Sequence, residues 1–198
     1  MILGLDVSTS ITGICVLDKE ENIVYNSAVD TRKYKNMYEK AEKVKEKLEE
    51  LKKEYDINSI YIEKSLQSFR SGFSSAKVLS TLSAFNGIVS WFCYEIYGMS
   101  PEYISASSAR KDCGIKVPKG QKAKPFVLGV LVKEGLISPE YTKKGNPKPI
   151  YYDMSDAIVI AKSGFKKSLD NTPHSWYNVC NFFKGNHTWK NYPSLKTH

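Results

Sequence analysis

Met1-Ile2-Leu3-Gly4-Leu5-Asp6-Val7-Ser8 reads as a β-strand with one acid set among apolar residues. Moving an unpaired carboxylate into such surroundings is costly. A chain that puts Asp6 there pairs it, caps something with it, or holds a metal with it. A second apolar run, residues 11–18, follows the Ser8-Thr9-Ser10 turn. A third, residues 22–29, follows the polar turn Asp18-Lys19-Glu20-Glu21-Asn22. Three strands joined this closely predict an antiparallel meander. Gly13, inside the second, marks a bulge or a close backbone approach.

Outward from the meander, Met37, Ala41, Val44, Leu48, Leu51 and Tyr55 form one apolar stripe of a helix over residues 33–55. Its other faces carry mixed charge, including Glu39/Lys43 and Glu49/Lys53 four apart, and read as solvated. Residues 57–63 are a fourth strand that again ends in an acid, Glu63. Strand, helix and strand in this order predict a parallel crossover. It sets the first and fourth strands side by side, with Asp6 and Glu63 at similar height. A polar loop, residues 64–73, precedes a long helix capped by Ser74 or Ser75 and ending near Tyr97. Its small residues, Ser80, Ser83, Ala84, Gly87 and Ser90, suit close approach by the chain's own sheet or by a second copy. Residues 102–105 make a fifth strand. A brief helix capped at Ser107 or Ser108 ends at Gly114. A basic loop, residues 116–124, leads into a helix with Pro125 in its first turn. The last core helix is expected from Met154 to Ala161. The fold class is therefore α/β, a central mixed five-stranded sheet with helices on both faces. It occupies residues 1–163, and residues 164–198 form a basic, aromatic C-terminal extension.

Composition narrows the function. Apolar content of 41% and charged content of 25% are ordinary for a globular protein, but a net charge of +8 is not. Such a balance points to nucleic acid or an anionic membrane surface. The longest apolar stretch, residues 84–96, is broken by Asn86 and Glu95 and is too short to span a bilayer. Cys15, Cys93, Cys113 and Cys180 lack zinc-knuckle spacing and read as free thiols in a reducing compartment. With a strand at its very start and no leader pattern, the chain is expected in the cytoplasm, of a bacterium or of a virus-infected host cell. His174, His187 and His198 all lie in the extension, which argues against a histidine zinc site or a Ser-His-Asp arrangement.

Asp153 and Asp156 lie three apart on the last helix and share a face. Singly, Asp153 reads as a cap, Asp156 as a first-turn acid, Glu63 as an edge charge and Asp6 as an ion-pair member. Jointly, the topology gathers all four. Four gathered carboxylates repel one another unless a cation is present, and hard oxygen ligands suit Mg²⁺ or Mn²⁺. Two such ions about 4 Å apart support phosphodiester hydrolysis without a catalytic histidine.

The segment Ile2 to Gly13 resembles the opening strand and turn of RuvC-type Holliday junction resolvases. Ile60-Tyr61-Ile62-Glu63 resembles their second acid motif, and Ser107-Ser108-Ala109-Arg110-Lys111 their following basic segment. Asp153-Met154-Ser155-Asp156-Ala157 is similar to their closing D-x-x-D-A helix. The likeness runs from residue 1 to about 163, with four motifs in order. It implies an RNase H-like fold and a Mg²⁺-dependent crossover junction endodeoxyribonuclease, a homodimer that binds four-way junctions or branched DNA and nicks opposed strands. Asp6, Glu63, Asp153 and Asp156 would be catalytic, holding two Mg²⁺ (or Mn²⁺) ions.

The resemblance further implies that Arg110, Lys111, Lys119, Lys122 and Lys124 contact phosphates, and that the helix over 74–97 carries the dimer contact. Binding through such cations is strongly salt-dependent. The chain departs from the family in two places. Its first turn is Ser8-Thr9-Ser10 where bacterial relatives often carry Pro-Gly, and Leu66 stands where some relatives wedge an aromatic. Phe69 or Phe73, with Arg70 beside them, would then meet an unpaired base. The compact, lysine-rich chain matches virus-encoded members. Two other readings stay open: an RNase H-like nuclease acting on flaps or RNA–DNA hybrids, and a junction-binding protein with an inactive site.

Overall fold

The computed structural model describes residues 1–65 and 76–170. Phe69, Arg70, Phe73 and the helix caps expected at Ser74 or Ser75 lie outside the described residues, as do Cys180 and the three histidines. A compact unit spans Met1–Lys167, and a second begins at Ser168.

Strand β1 (Ile2–Asp6) is the middle of a five-stranded sheet. On one side it pairs antiparallel with β2 (Ile11–Leu17), which pairs antiparallel with β3 (Ile23–Asp30). On the other it pairs parallel with β4 (Ser59–Glu63), which pairs parallel with β5 (Glu102–Ile104). Every residue of β1 and β2 is buried, as apolar runs covered on both faces should be. The register irregularity in β2 falls at Val16/Leu17, so Gly13 marks a close approach and not a bulge.

Side chains alternate across a strand, so Leu3 and Leu5 face one way and Ile2, Gly4 and Asp6 the other. Leu3, Leu5, Ile14, Ile60 and Ile62 pack with Val44, Leu48 and Leu51 of α1 (Met37–Glu54) and with Phe85, Val89 and Cys93 of α2 (Ala76–Tyr97). Full burial of each such aliphatic side chain stabilises by roughly 1.5–3 kcal/mol. Asn36 caps α1, its side chain accepting from the Tyr38 N–H. On α1 the half-buried Lys43 and Lys47 pair three residues on, with Glu46 and Glu50, and Lys45 reaches across to Glu95 of α2.

The opposite face carries α3 (Ala106–Asp112), α4 (Ala123–Lys133) and α5 (Ile150–Asp170). Ala109, Val127, Leu131, Ile158 and Ala161 pack there with Ile2, Cys15, Leu17 and Tyr61. Helix α3 starts earlier than expected. Its cap is Ser105, whose hydroxyl accepts from the Ser108 N–H at 3.1 Å. Helix α5 starts at Ile150, so Asp153 lies inside its first turn and does not cap it. The helix also runs past Ala161 to Asp170.

Candidate active site

The site is built where β1 and β4 end. Leu5 pairs with Ile62, so Asp6 and Glu63 follow side by side at one edge of the sheet. Asp6 is opposite Gly13 on β2. Helix α5 crosses this spot in near contact with the backbone. A Cβ on Gly4 would stand 2.6 Å from the Ala161 Cβ, and one on Gly13 would stand 2.0 Å from the Asp153 carbonyl oxygen. Two missing side chains thus let the helix lie flush on the sheet, and Asp153 and Asp156 come down beside Asp6. Carboxylate oxygens of Asp6, Glu63 and Asp156 lie within 4.8 Å of one another. Asp6 and Asp156 are only 7% and 8% exposed.

Lys124, in the first turn of α4, enters this cluster. Its Nζ lies 2.6 Å from Asp153 Oδ1, 3.2 Å from Asp156 Oδ2 and 3.4 Å from Asp6 Oδ2. Sequence reasoning had it only as a phosphate contact. One cation against four acids leaves the group short of positive charge. Burial, then repulsion from Glu63, lifts the Asp6 carboxyl well above its ordinary range. Burial, then repulsion from Asp156, pushes Glu63 up to about 7. Burial raises Asp156 as well, against the opposing pull of Lys124. Burial alone would lower Lys124, but Asp6, Asp156 and Asp153 outweigh it and hold its ammonium above the ordinary lysine range.

The Ser8-Thr9-Ser10 turn beside Asp6 is closed by its own side chains. Ser8 Oγ accepts from the Ile11 N–H at 3.1 Å and donates to the Ile11 carbonyl at 2.7 Å. Buried Thr31 donates its hydroxyl to the Thr9 and Ser10 carbonyls, and Lys40 Nζ donates to the Thr9 carbonyl at 2.7 Å. Asn86, seen in the sequence only as a break in an apolar stretch, donates to the Glu63 carbonyl at 3.1 Å and steadies the end of β4.

The other predicted cations lie around the cluster or beyond it. Arg110 is half-buried and acts electrostatically on Glu63 and Asp156. Arg110 and Lys111 line a cleft of about 430 Å³ together with Ser107 and Lys116. Lys111, Lys119 and Lys122 are exposed. Lys116 was not singled out from sequence, where it is one of several similar lysines in a loop.

The arrangement suits a hard cation. The donors are carboxylate oxygens on a rigid floor, and an ammonium already stands among them. Among the described residues, no helix is long and apolar enough to cross a membrane.

No family model matches the chain, and no curated protein does. Solved structures do. RuvC of T. thermophilus in complex with a Holliday junction substrate is 15% identical, with a TM-score of 0.59, covering 85% of this chain and 94% of that one. A second Thermus thermophilus RuvC structure is 16% identical with a TM-score of 0.58, covering 85% and 96%. The yeast mitochondrial Holliday junction resolvase Ydc2 is 16% identical with a TM-score of 0.55, covering 92% and 83%. At these identities the likeness establishes architecture: the chain has the α/β RNase H-like fold of the RuvC-type resolvases.

Proposed function

We propose that this chain is a metal-dependent endodeoxyribonuclease that resolves four-way junctions or branched DNA as a homodimer. The convergence of Asp6, Glu63 and Asp156 at one sheet edge, with Asp153 joined through Lys124, carries this reading. The fold supports it, since solved neighbours include a RuvC bound to a Holliday junction substrate and a Holliday junction resolvase. Residues 1–163 would be the nuclease domain and residues 164–198 its extension.

Asp6, Glu63, Asp153 and Asp156 would hold two Mg²⁺ or Mn²⁺ ions. Such ions supply an activated water and stabilise the leaving oxygen of an in-line phosphoryl displacement. The chain's own residues do the rest. The buried floor of β1 and β4 fixes the carboxylates before substrate arrives, which lowers the cost of reorganisation. Lys124, which now contacts Asp6, Asp153 and Asp156, would compete with a cation for these oxygens, and its side chain is half-exposed. Arg110, Lys111, Lys119 and Lys122 neutralise backbone phosphates. The dimer contact would use α2, which exposes Trp91 and Tyr94 with their rings 5.8 Å apart.

Labelled four-way, flap and duplex DNAs, each incubated with Mg²⁺ or with EDTA, test the reading, with light scattering to size the protein. Paired nicks in the four-way junction, dependent on Mg²⁺ and made by a dimer, are expected. Cleavage of flaps or RNA–DNA hybrids by a monomer, with junctions left intact, would overturn it.

A further inference from the structure

Four of the five strands end along one edge of the sheet. β2 alone runs antiparallel to its neighbours, so β1, β3, β4 and β5 share a direction. The acids sit at the middle of that edge. On the β5 side α3 follows directly, and its Arg110 and Lys111 line a cleft with Lys116. On the β3 side the chain continues Asp30-Thr31-Arg32-Lys33-Tyr34-Lys35. Adjacent strands are about 4.8 Å apart, so each outer strand end lies roughly 10 Å from Asp6.

This β3 flank is fixed against the site. Thr31 is fully buried, and its N–H donates to the Ser10 carbonyl at 2.9 Å, so the segment is fastened to the turn that follows Asp6. Arg32 grips Asp30 through Nε at 2.9 Å and through one terminal nitrogen. Guanidinium has five donors in a rigid fork, so this pairing pre-orients it and leaves its other edge free. Asp153 is near enough to act on Arg32 electrostatically. Lys33 and Lys35 are exposed and form no ion pair among the described residues, and Lys33 Nζ lies over the Tyr34 ring, 5.0 Å from its centroid.

We infer that Arg32, Lys33 and Lys35 form a second phosphate-contacting surface, which holds the DNA strand on the opposite side of the reacting phosphate from Arg110, Lys111 and Lys116. The inference rests on the nuclease reading and deepens it. Contacts on both sides of one phosphate fix its position over the acids, so these are positioning residues.

The test is binding of a labelled four-way junction in EDTA across a series of salt concentrations. Each lost phosphate contact flattens the slope of log K against log salt by about 0.9. The R32A/K33A/K35A variant is expected to lose about 2–3 units of slope, and K33A/K35A, which keeps the Arg32–Asp30 pair, about 2. Melting temperatures should stay at the wild-type value. In ethylation interference the triple variant should lose phosphates on one side of the cleavage position, and K111A/K116A those on the other. A wild-type slope in the triple variant, or loss of the same phosphates in both variants, would overturn this inference alone. Failure of the unmodified chain to bind junctions would overturn the nuclease reading together with it.

Discussion

A Cβ on Gly13 would stand 2.0 Å from the carbonyl oxygen of Asp153. The obstacle is backbone, which has no rotamer by which to yield. Gly13→Ala must therefore lift the start of α5 away from β2. Overpacking of this kind costs about 1–3 kcal/mol, occasionally more. Urea denaturation should show that loss, and Mn²⁺ titration of the folded variant should show weakened binding. A wild-type midpoint with wild-type Mn²⁺ binding would mean that the helix has slack here.

Asp6→Asn separates chemistry from affinity. Losing several kcal/mol of metal-dependent stabilisation corresponds to a fall in cleavage of about 10³-fold or more. Junction binding should persist, because the cations outside the cluster supply it. Metal-free stability should stay level or rise, since burial and Glu63 both disfavour the charged form of Asp6. A large metal-free drop in melting temperature would instead mark Asp6 as a structural partner of Lys124.

Lys124→Met removes the cation that stands among the acids. The metal-free protein should lose about 1 kcal/mol, a modest figure because half of the lysine side chain is in water. Mn²⁺ should bind more tightly, since an ion no longer has to displace an ammonium from shared oxygens. If the ammonium occupies the site about nine-tenths of the time, the gain is about tenfold. Calorimetric titration reads it directly, and equal affinity in both proteins would show that lysine and metal do not compete.

Glu63 gives the site a pH dependence with a definite sign. Its carboxyl is raised from 4.5 to about 7, so the folded state holds the proton more tightly than the unfolded chain. Stability of the metal-free protein should fall as pH rises from about 4.5 to about 7 and level off above that. Metal affinity should move the other way, rising over the same range, because ligands must lose their protons. Melting curves at pH 5 and pH 7.5, with EDTA and with Mg²⁺, check both. A metal-free protein that gains stability across this window would contradict the assignment.

Much of this was legible because the deciding features are local. An acid in an apolar run, a second acid closing the crossover strand, and two acids three apart on a helix each need only a few residues to be seen. Gly13 announced a bulge or a close approach, and only the seat of α5 against it decides for the second. Other features were not local. Ser105, Ser107 and Ser108 all qualify as caps by chemistry, and only the extended backbone at Ser105 decides among them. Lys116, Lys119, Lys122 and Lys124 look alike in sequence, and the path of the chain alone turns Lys124 inward. The β3 flank escaped notice for the same reason, since its place beside the acids follows from the direction of four strands.

Helix α5 is seated on the sheet at three points. Asp153 lies over Gly13, Ala161 over Gly4, and Gly164 against the ring of Tyr61. From Asp153 to Gly164 the helix rises about 16 Å, so these seats are spread along its length. A rod held at three such places can neither slide by a turn nor roll. The spacing between the helix acids and the strand acids is thereby a fixed dimension of the protein. The exposed cations at the sheet edge lie outside these seats, so they can be exchanged one by one while the reacting centre keeps its measure.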